Sequence, residues 1–411
     1  KQFVAEVHER KIDDFARIDR ELQRLNRQRL ARLLFDARPS LNSVGALAQS
    51  ESGTLVGEFK KKRRHMPIRK LLGKAGKLIQ NIKPCFMMSP LSIAQFLELG
   101  NLDFDTVIFD EASQVRPEDA LGALLRGRQL VVMGDTKQLP PTSFFDKIDS
   151  DDEEDEEEEC GTSIVDIESI LHQCQRSYDT KHLRWHYRSR HESLIAVSNQ
   201  LFYDNHLLIY PSVAATLAGV GLELRLSEGS VYDRGKSAQN RDEARMVVAA
   251  AMEHLRLTPQ KSLGIGAFSI KQQQAILDEI EKVLRLNPEM QDYFNSKRHE
   301  YCFVKNLETI QGDERDVIFI SVGYGKAQDG RVLTNFGPIN KEGGHRRLNV
   351  LMTRARERCV IFSNFGAEDL STDAKTPFGV RALKQFLDYA RTRQINLPVE
   401  LNADTESPFE D

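Results

Sequence analysis

At 411 residues, 40% hydrophobic and 29% charged, the chain carries enough apolar material for two cores and some appendages, which places it among soluble globular proteins. No apolar run approaches the ~20 residues of a membrane span and no charged-then-apolar leader opens the chain, so a cytoplasmic protein without membrane contact is expected. The five cysteines, at positions 85, 160, 174, 302 and 359, form no Cys-x-x-Cys pair, which argues against a zinc site or a disulfide framework, and the net charge of −4 conceals strong local asymmetry.

Residues 1 to about 37 lack Gly and Pro, and Phe15, Ile18, Leu22 and Leu25 keep a 3-4-3 spacing before the stripe shifts to Leu30, Leu33 and Leu34. This spacing predicts a long amphipathic helix, one arm of a helical hairpin. The basic run KKKRRHMPIRK (60–70) is suited either to a phosphate backbone or to a solvated loop. DTVIFDEASQV (105–115) then runs four apolar residues into Asp110 and Glu111. A carboxylate pair at a strand end is what a nucleotide hydrolase needs: one group to hold a Mg2+-bound water, the other to orient or deprotonate the attacking water. It is also what an ordinary solvated turn shows. QLVVMGDTKQLPPTSFF (129–145) repeats the pattern and sets Gln138 before two prolines that stiffen the segment, a neutral amide suited to sensing a phosphate or positioning water.

DSDDEEDEEEE (149–159) repels itself and cannot join a core, so it reads as an exposed disordered loop between two folded halves. On both sides, short β-rich runs alternate with helical stretches: LVVMGD, KSLGIGAFS before KQQQAILDEIEKVL, DVIFISVGYG and RCVIFSN. Such alternation predicts an α/β fold of parallel sheets flanked by helices. Ligands in these sheets bind beyond the carboxyl ends of strands, where the chemically interesting residues are expected.

FDEASQ, GDTKQLPPT, LRWHYRSRHESL, LETIQGDERDVIFISVGYG and RRLNVLMTRAR resemble, in this order, motifs II to VI of superfamily 1 helicases, in the branch typified by the nonsense-mediated decay helicase. The likeness spans roughly residues 84 to 366 and extends to bacterial members with a carboxy-terminal nuclease-like module. It implies two RecA-like P-loop NTPase domains that clamp ATP and Mg2+ in their cleft, with a single strand of DNA or RNA crossing both. Translocation in the branch is mostly 5′ to 3′.

The resemblance makes Asp110 the Mg2+ ligand, Glu111 the catalytic base and Gln138 the γ-phosphate contact. Arg188 and Arg354 become arginine fingers, Glu314 the ribose contact, Gln311 and Gly312 parts of the same coupling loop, and Tyr187 a stacking partner for adenine. Arg184, Arg190, Arg346, Arg347, Arg356 and Arg358 are expected to form surface ion pairs or backbone contacts. The implied organisation is a helical arm and basic loop over 1–83, inserted in the first RecA-like domain, whose carboxy-terminal part is 84–148. The acidic loop 149–160, the second RecA-like domain 161–395 and a tail or linker 396–411 complete it.

The family's Gly-x-x-x-x-Gly-Lys-Ser/Thr phosphate loop has no counterpart. GKAGKL (73–78) has Leu78 where the hydroxyl belongs and Leu71 where the first glycine belongs, and in GSVYDRGKS (229–237) Gly229 stands one residue too far from Gly235, Lys236 and Ser237. The expectation is a piece of a longer protein whose loop lies upstream, so that the chain alone hydrolyses ATP poorly. Ser407 to Glu410 resemble the opening of a Vsr-like endonuclease module. The expected activity is therefore that of an ATP-dependent helicase or translocase core. Two alternatives stand beside it: a non-hydrolysing nucleic-acid-binding module, and an interaction scaffold organised by the acidic loop.

Overall fold

The computed structural model describes residues 4–38, 50–141, 169–212 and 219–394. The acidic loop 149–160, Cys160 and the tail with Ser407 to Glu410 lie outside the described residues. The chain divides into two compact units, one of residues 1–110 and 115–133 and one of 111–114 and 134–411. Gln138 therefore lies in the same compact unit as Glu111 to Gln114.

In the first unit, helix α1 (Ala5–Ala37) forms over the run without Gly or Pro and buries no residue. Its apolar stripe, Phe15 to Leu34, faces outward. Helices α2 (Glu51–Lys60) and α3 (Ile68–Ile82) follow. The basic segment between them turns about the carboxylate of Glu58, which takes the Lys61 ammonium and accepts from the Met66 amide at 3.0 Å. GKAGKL lies inside α3, with a kink at Ala75, and not in a loop. After α4 (Pro90–Phe96), strands β1 (Phe104–Phe109) and β2 (Gly127–Val132) pair in parallel around α5 (Pro117–Leu124). Both α4 and α5 start on a proline, whose missing amide costs nothing in a first turn.

The second unit adds α6 (Ile170–Ser177) and α7 (Ala196–Phe202). Its parallel strands are β3 (Gly221–Leu226), β4 (Leu263–Ala267), β5 (Phe303–Asn306), β6 (Arg315–Ser321) and β7 (Ala355–Ser363), in the order β3-β7-β6-β4-β5. Helices α8 (Arg241–Leu257), α9 (Ile270–Leu286), α10 (Gly344–Met352) and α11 (Phe378–Thr392) cover it. Caps set the starts of two of them: Asn240 Oδ1 accepts from the Glu243 amide at 3.1 Å and Ser269 Oγ from the Gln272 amide at 3.1 Å.

The pleat divides the core by residue parity. Val317 and Phe319 of β6, with Val360 and Phe362 of β7, pack among residues of α8 and α9, while Ile318, Ile320, Cys359 and Ile361 join α7, α10 and α11. A sheet buried on both faces explains the near-continuous apolar runs DVIFIS and CVIFS. On the α10 side Gly266 leaves room for Leu351, whose Cδ1 would stand 2.5 Å from an added Cβ. The result is the parallel, helix-flanked α/β architecture of a RecA-like domain. Among the described residues no helix is long and apolar enough to cross a membrane, and Cys302 and Cys359 are buried thiols, both pushed up to about 12 by burial.

Candidate functional site

Asp110 follows β1 directly, in the first unit. Glu111 takes φ +50, a left-handed conformation that few side chains adopt, as the chain turns into a short 3-10 segment (Ala112–Gln114) closed by the Gln114 amide on the Glu111 carbonyl at 2.9 Å. In the second unit the loop after β2 lies against this turn. Gly134 makes the approach feasible, since a Cβ there would stand 3.0 Å from the Ser113 nitrogen and 3.1 Å from that of Ala112.

Asp135 organises the rest of that loop. Its carboxylate accepts from the Lys137 amide at 2.8 Å and from Gln138 Nε2 at 3.0 Å, so the Gln138 carboxamide is held by its nitrogen. The same carboxylate accepts the Tyr203 hydroxyl at 2.7 Å, and Asn349 Nδ2 donates both to the Lys137 carbonyl at 3.0 Å and to the Tyr203 oxygen at 3.1 Å. Burial, together with the Asp135 charge, pushes the Tyr203 hydroxyl well above its usual range, so it remains a donor at any ordinary pH.

Arg354, two residues after α10, is 3% exposed. Its Nε donates to the Val350 carbonyl at 2.7 Å and its Nη2 to Thr353 Oγ1 at 3.1 Å. Burial, then the neighbouring Arg188 charge, lowers it to about 10, against the opposing influence of Glu111, Tyr203 and Glu314. The guanidinium keeps its charge at neutral pH, and the lowering is chiefly the cost of taking a cation out of water. His186 is lowered to about 4, first by burial and then by the Arg188 charge, so it is neutral at ordinary pH. Arg188 itself donates from Nε to Glu314 at 2.8 Å, and Arg356 stands 4.0 Å from the other oxygen of that carboxylate.

Gln311 Nε2 reaches Glu111 at 3.4 Å, while Gln311 Oε1 is buried with no donor. Gly312 has φ +85, which suits glycine. The Tyr187 ring is 92% exposed and can offer a face to a planar ligand. Among the further arginines, Arg190 pairs with Glu357, Arg347 with Glu308, Arg356 with Glu300 and Asp316, and Arg358 with Glu223. The GKS of GSVYDRGKS is no phosphate cradle, because Asp233 accepts both the Ser237 amide, at 3.2 Å, and the Ser237 hydroxyl, at 2.7 Å.

One sequence expectation needs correction. Asp110, Asp135 and Gln138 do follow the carboxyl ends of β1 and β2, but Gln311, Gly312 and Glu314 precede β6 and Arg354 precedes β7, at amino ends. The carboxyl-end rule concerns ligands that a sheet binds on its own helix amino termini, whereas a guanidinium finger is delivered by its own charge and needs no such terminus. Sequence reasoning missed Asp135, Tyr203 and Asn349. The first carried a local signal, an aspartate two residues before the Lys137 amide it binds. The other two carried none, being 68 and 212 residues from their partners in the loop.

The donor set suits a magnesium nucleotide. The guanidiniums of Arg188 and Arg354 share a neighbourhood with the carboxylates of Glu111 and Glu314, and the orphaned Gln311 oxygen belongs to an amide that reaches Glu111. Among the described residues no group of three or more His, Cys, Asp or Glu could hold a metal ion unaided.

Two families, each described as an AAA domain, match residues 17–145 and 167–365. Over 328 residues the chain is 34% identical to the uncharacterized ATP-dependent helicase MG140 homolog of Mycoplasma pneumoniae, covering 78% of this chain and 28% of that protein. Helicase sen1 of Schizosaccharomyces pombe is 26% identical over 286 residues, 67% of this chain and 15% of that protein. The DNA replication ATP-dependent helicase/nuclease DNA2 of Saccharomyces cerevisiae is 25% identical over 292 residues, 65% of this chain and 18% of that protein. The chain therefore spans less than a third of the length of these relatives. Matches over most of its residues, a parallel sheet flanked by helices and five motifs in register give one assignment: the chain belongs to the superfamily 1 helicases.

Proposed function

We propose that these residues form part of the motor of an ATP-dependent helicase or translocase that acts on single-stranded nucleic acid. The observation that carries this reading is the burial of Arg354 near Arg188, with its guanidinium donating to the neutral Val350 carbonyl and Thr353 hydroxyl. Burying a guanidinium next to another is unfavourable unless an anion completes the site. The phosphoryl group of ATP, as negative charge spreads over it in the transition state, supplies such an anion.

Each residue then has a task that its setting permits. Asp110, at the end of β1, is the Mg2+ ligand. Glu111 takes the proton of the attacking water, and its left-handed backbone is the kind of strain that functional sites retain. Gln138, held through its nitrogen by Asp135, presents a fixed amide to the γ-phosphate or to that water. Arg188 and Arg354 meet the charge that spreads over the phosphoryl oxygens in the transition state. Glu314 is a ribose contact that must exchange its bond to Arg188 for one to the sugar. Tyr187 stacks on adenine, and Gly312 allows the backbone turn that brings Gln311 to Glu111.

Nucleic acid as the substrate class is supported by relatives named helicases, and a nuclease partner module by one of them named helicase/nuclease. A reducing, cytoplasmic setting suits a chain in which Cys302 and Cys359 are buried thiols and Cys85 is an exposed one. The test is nucleic-acid-stimulated ATP turnover by the protein that carries these residues, with matched DNA and RNA strands. Turnover that no strand stimulates, or that survives Glu111→Gln, would remove the reading.

A further inference from the structure

A chain of hydrogen bonds joins two groups given separate tasks above. Gln138 Nε2 donates to Asp135 Oδ2 at 3.0 Å, and the Tyr203 hydroxyl donates to the same oxygen at 2.7 Å. Asn349 Nδ2 donates to the Tyr203 oxygen at 3.1 Å. The Asn349 main-chain carbonyl in turn accepts from Thr353 Oγ1 at 2.8 Å, and that hydroxyl accepts from Arg354 Nη2 at 3.1 Å. The residues of the path are drawn from the loop after β2, the end of α7, and α10 with the two residues that follow it.

The arrangement is poorly explained as a device for stability. Asn349 is fully buried, and its Oδ1 meets no donor. A buried polar atom without a partner is destabilising, and an apolar side chain of the same shape would fill the space with less loss. Both Nδ2 protons are engaged, on the Lys137 carbonyl and on Tyr203, so the amide cannot turn over without setting its oxygen against the Lys137 carbonyl. What the bonds do achieve is a fixed register between the loop that carries Gln138 and the helix end that carries Arg354.

We propose that Tyr203 and Asn349 are positioning residues that hold the Gln138 amide and the Arg354 guanidinium in one register, so that the two reach the reacting phosphoryl group together. Neither touches the nucleotide. The proposal rests on the roles given to Gln138 and Arg354 under the proposed function. The geometry adds that those roles are coupled, and that the coupling passes through a tyrosine hydroxyl.

The experiment is a double-mutant cycle on nucleic-acid-stimulated ATP turnover in the protein that carries these residues. Tyr203→Phe keeps the ring and removes only the hydroxyl. It should lower kcat by roughly 10- to 100-fold, the usual worth of one hydrogen bond to a charged group, with KM for ATP moved by less than about twofold. Asn349→Leu should do the same. In a Gln138→Ala background, Tyr203→Phe should have little further effect, because the amide it positions is gone. Melting followed by circular dichroism separates a merely structural role, which would lower the midpoint and add fully to Gln138→Ala. Full additivity, or unchanged kcat in Tyr203→Phe, overturns the proposal while leaving the proposed function intact. If Gln138→Ala alone turns over like the wild type, the role of Gln138 is what fails, and the coupling falls with it. Should Asn349→Leu not fold, the cycle of Tyr203→Phe with Gln138→Ala decides the matter alone.

Discussion

Glu111 has to turn the chain and present a carboxylate, and its backbone sits at φ +50 to do so. Removing the side chain in two ways separates these demands. Glu111→Ala and Glu111→Gly both lose the base, yet only glycine accepts the left-handed conformation freely, so Glu111→Gly should be more stable by about 1 kcal/mol in urea unfolding. Equal stabilities would mean that the turn relaxes once the carboxylate is gone. At Arg354 the expected effect is kinetic. A buried guanidinium that meets charge chiefly in the transition state should, when changed to Ala, lower kcat by about 10³-fold while nucleotide affinity changes far less. Lys should rescue poorly, because a point charge cannot reproduce the planar fork. Near-normal turnover of Arg354→Ala would strip RRLNVLMTRAR of its assigned function. Residues of this kind are legible in a sequence because their signal is local, a carboxylate pair closing an apolar run or an arginine in a fixed motif. Tyr203 and Asn349 are not, since a buried hydroxyl or amide gains its meaning only from a partner that folding brings to it.

The strands and helices of the second unit follow from apolar runs of the right length, and β4, β6, β7 and α9 coincide with the runs named for them. What the runs do not carry is which end of each strand holds chemistry, so the residues before β6 and β7 were expected at the wrong end. Nor do they disclose the polar knot where α8 meets the end of β6. There Glu243, fully buried, accepts from the Ser321 hydroxyl at 2.6 Å and the Gly323 amide at 2.8 Å. Burial nevertheless outweighs these bonds and raises its carboxyl from 4.5 to about 7. The folded protein therefore keeps a proton that the unfolded chain releases between those two values. Stability from this group is fully present below pH 4.5 and is lost as pH rises through 7, by on the order of 3 kcal/mol at most. Glu243→Gln should flatten the dependence of the urea midpoint between pH 5 and 8 relative to the wild type. An unchanged slope would show that the carboxyl is already ionised at the lower limit.

At the scale of the whole molecule the chain's charge pattern marks the acidic run as a boundary, and that run lies outside the described residues. Composition identifies a segment that cannot join a core. It does not say which core the residues on either side join, because the partners of 134–141 are supplied by Tyr203 and Asn349, far along the chain. The basic segment is similarly divided once its bonding is known. Lys61 is committed to Glu58, whereas Lys60, Lys62, Arg63 and Arg64 are exposed. If the proposed function holds, nucleic-acid affinity of the protein that carries these residues should fall steeply with salt, because each neutralised phosphate releases counterions. Replacing Lys60, Lys62, Arg63 and Arg64 together with Gln, and leaving Lys61 to hold its turn, should then make the plot of log affinity against log salt less steep. The reduction should be about 0.7 for each phosphate of a single strand that the variant no longer neutralises. Fluorescence anisotropy with a labelled oligonucleotide across a salt series reads this slope directly. A variant whose slope equals that of the wild type would assign the segment to a solvated turn anchored on Glu58 and move the strand's path elsewhere, while affinity indifferent to salt in the wild type itself would count against nucleic acid as the substrate.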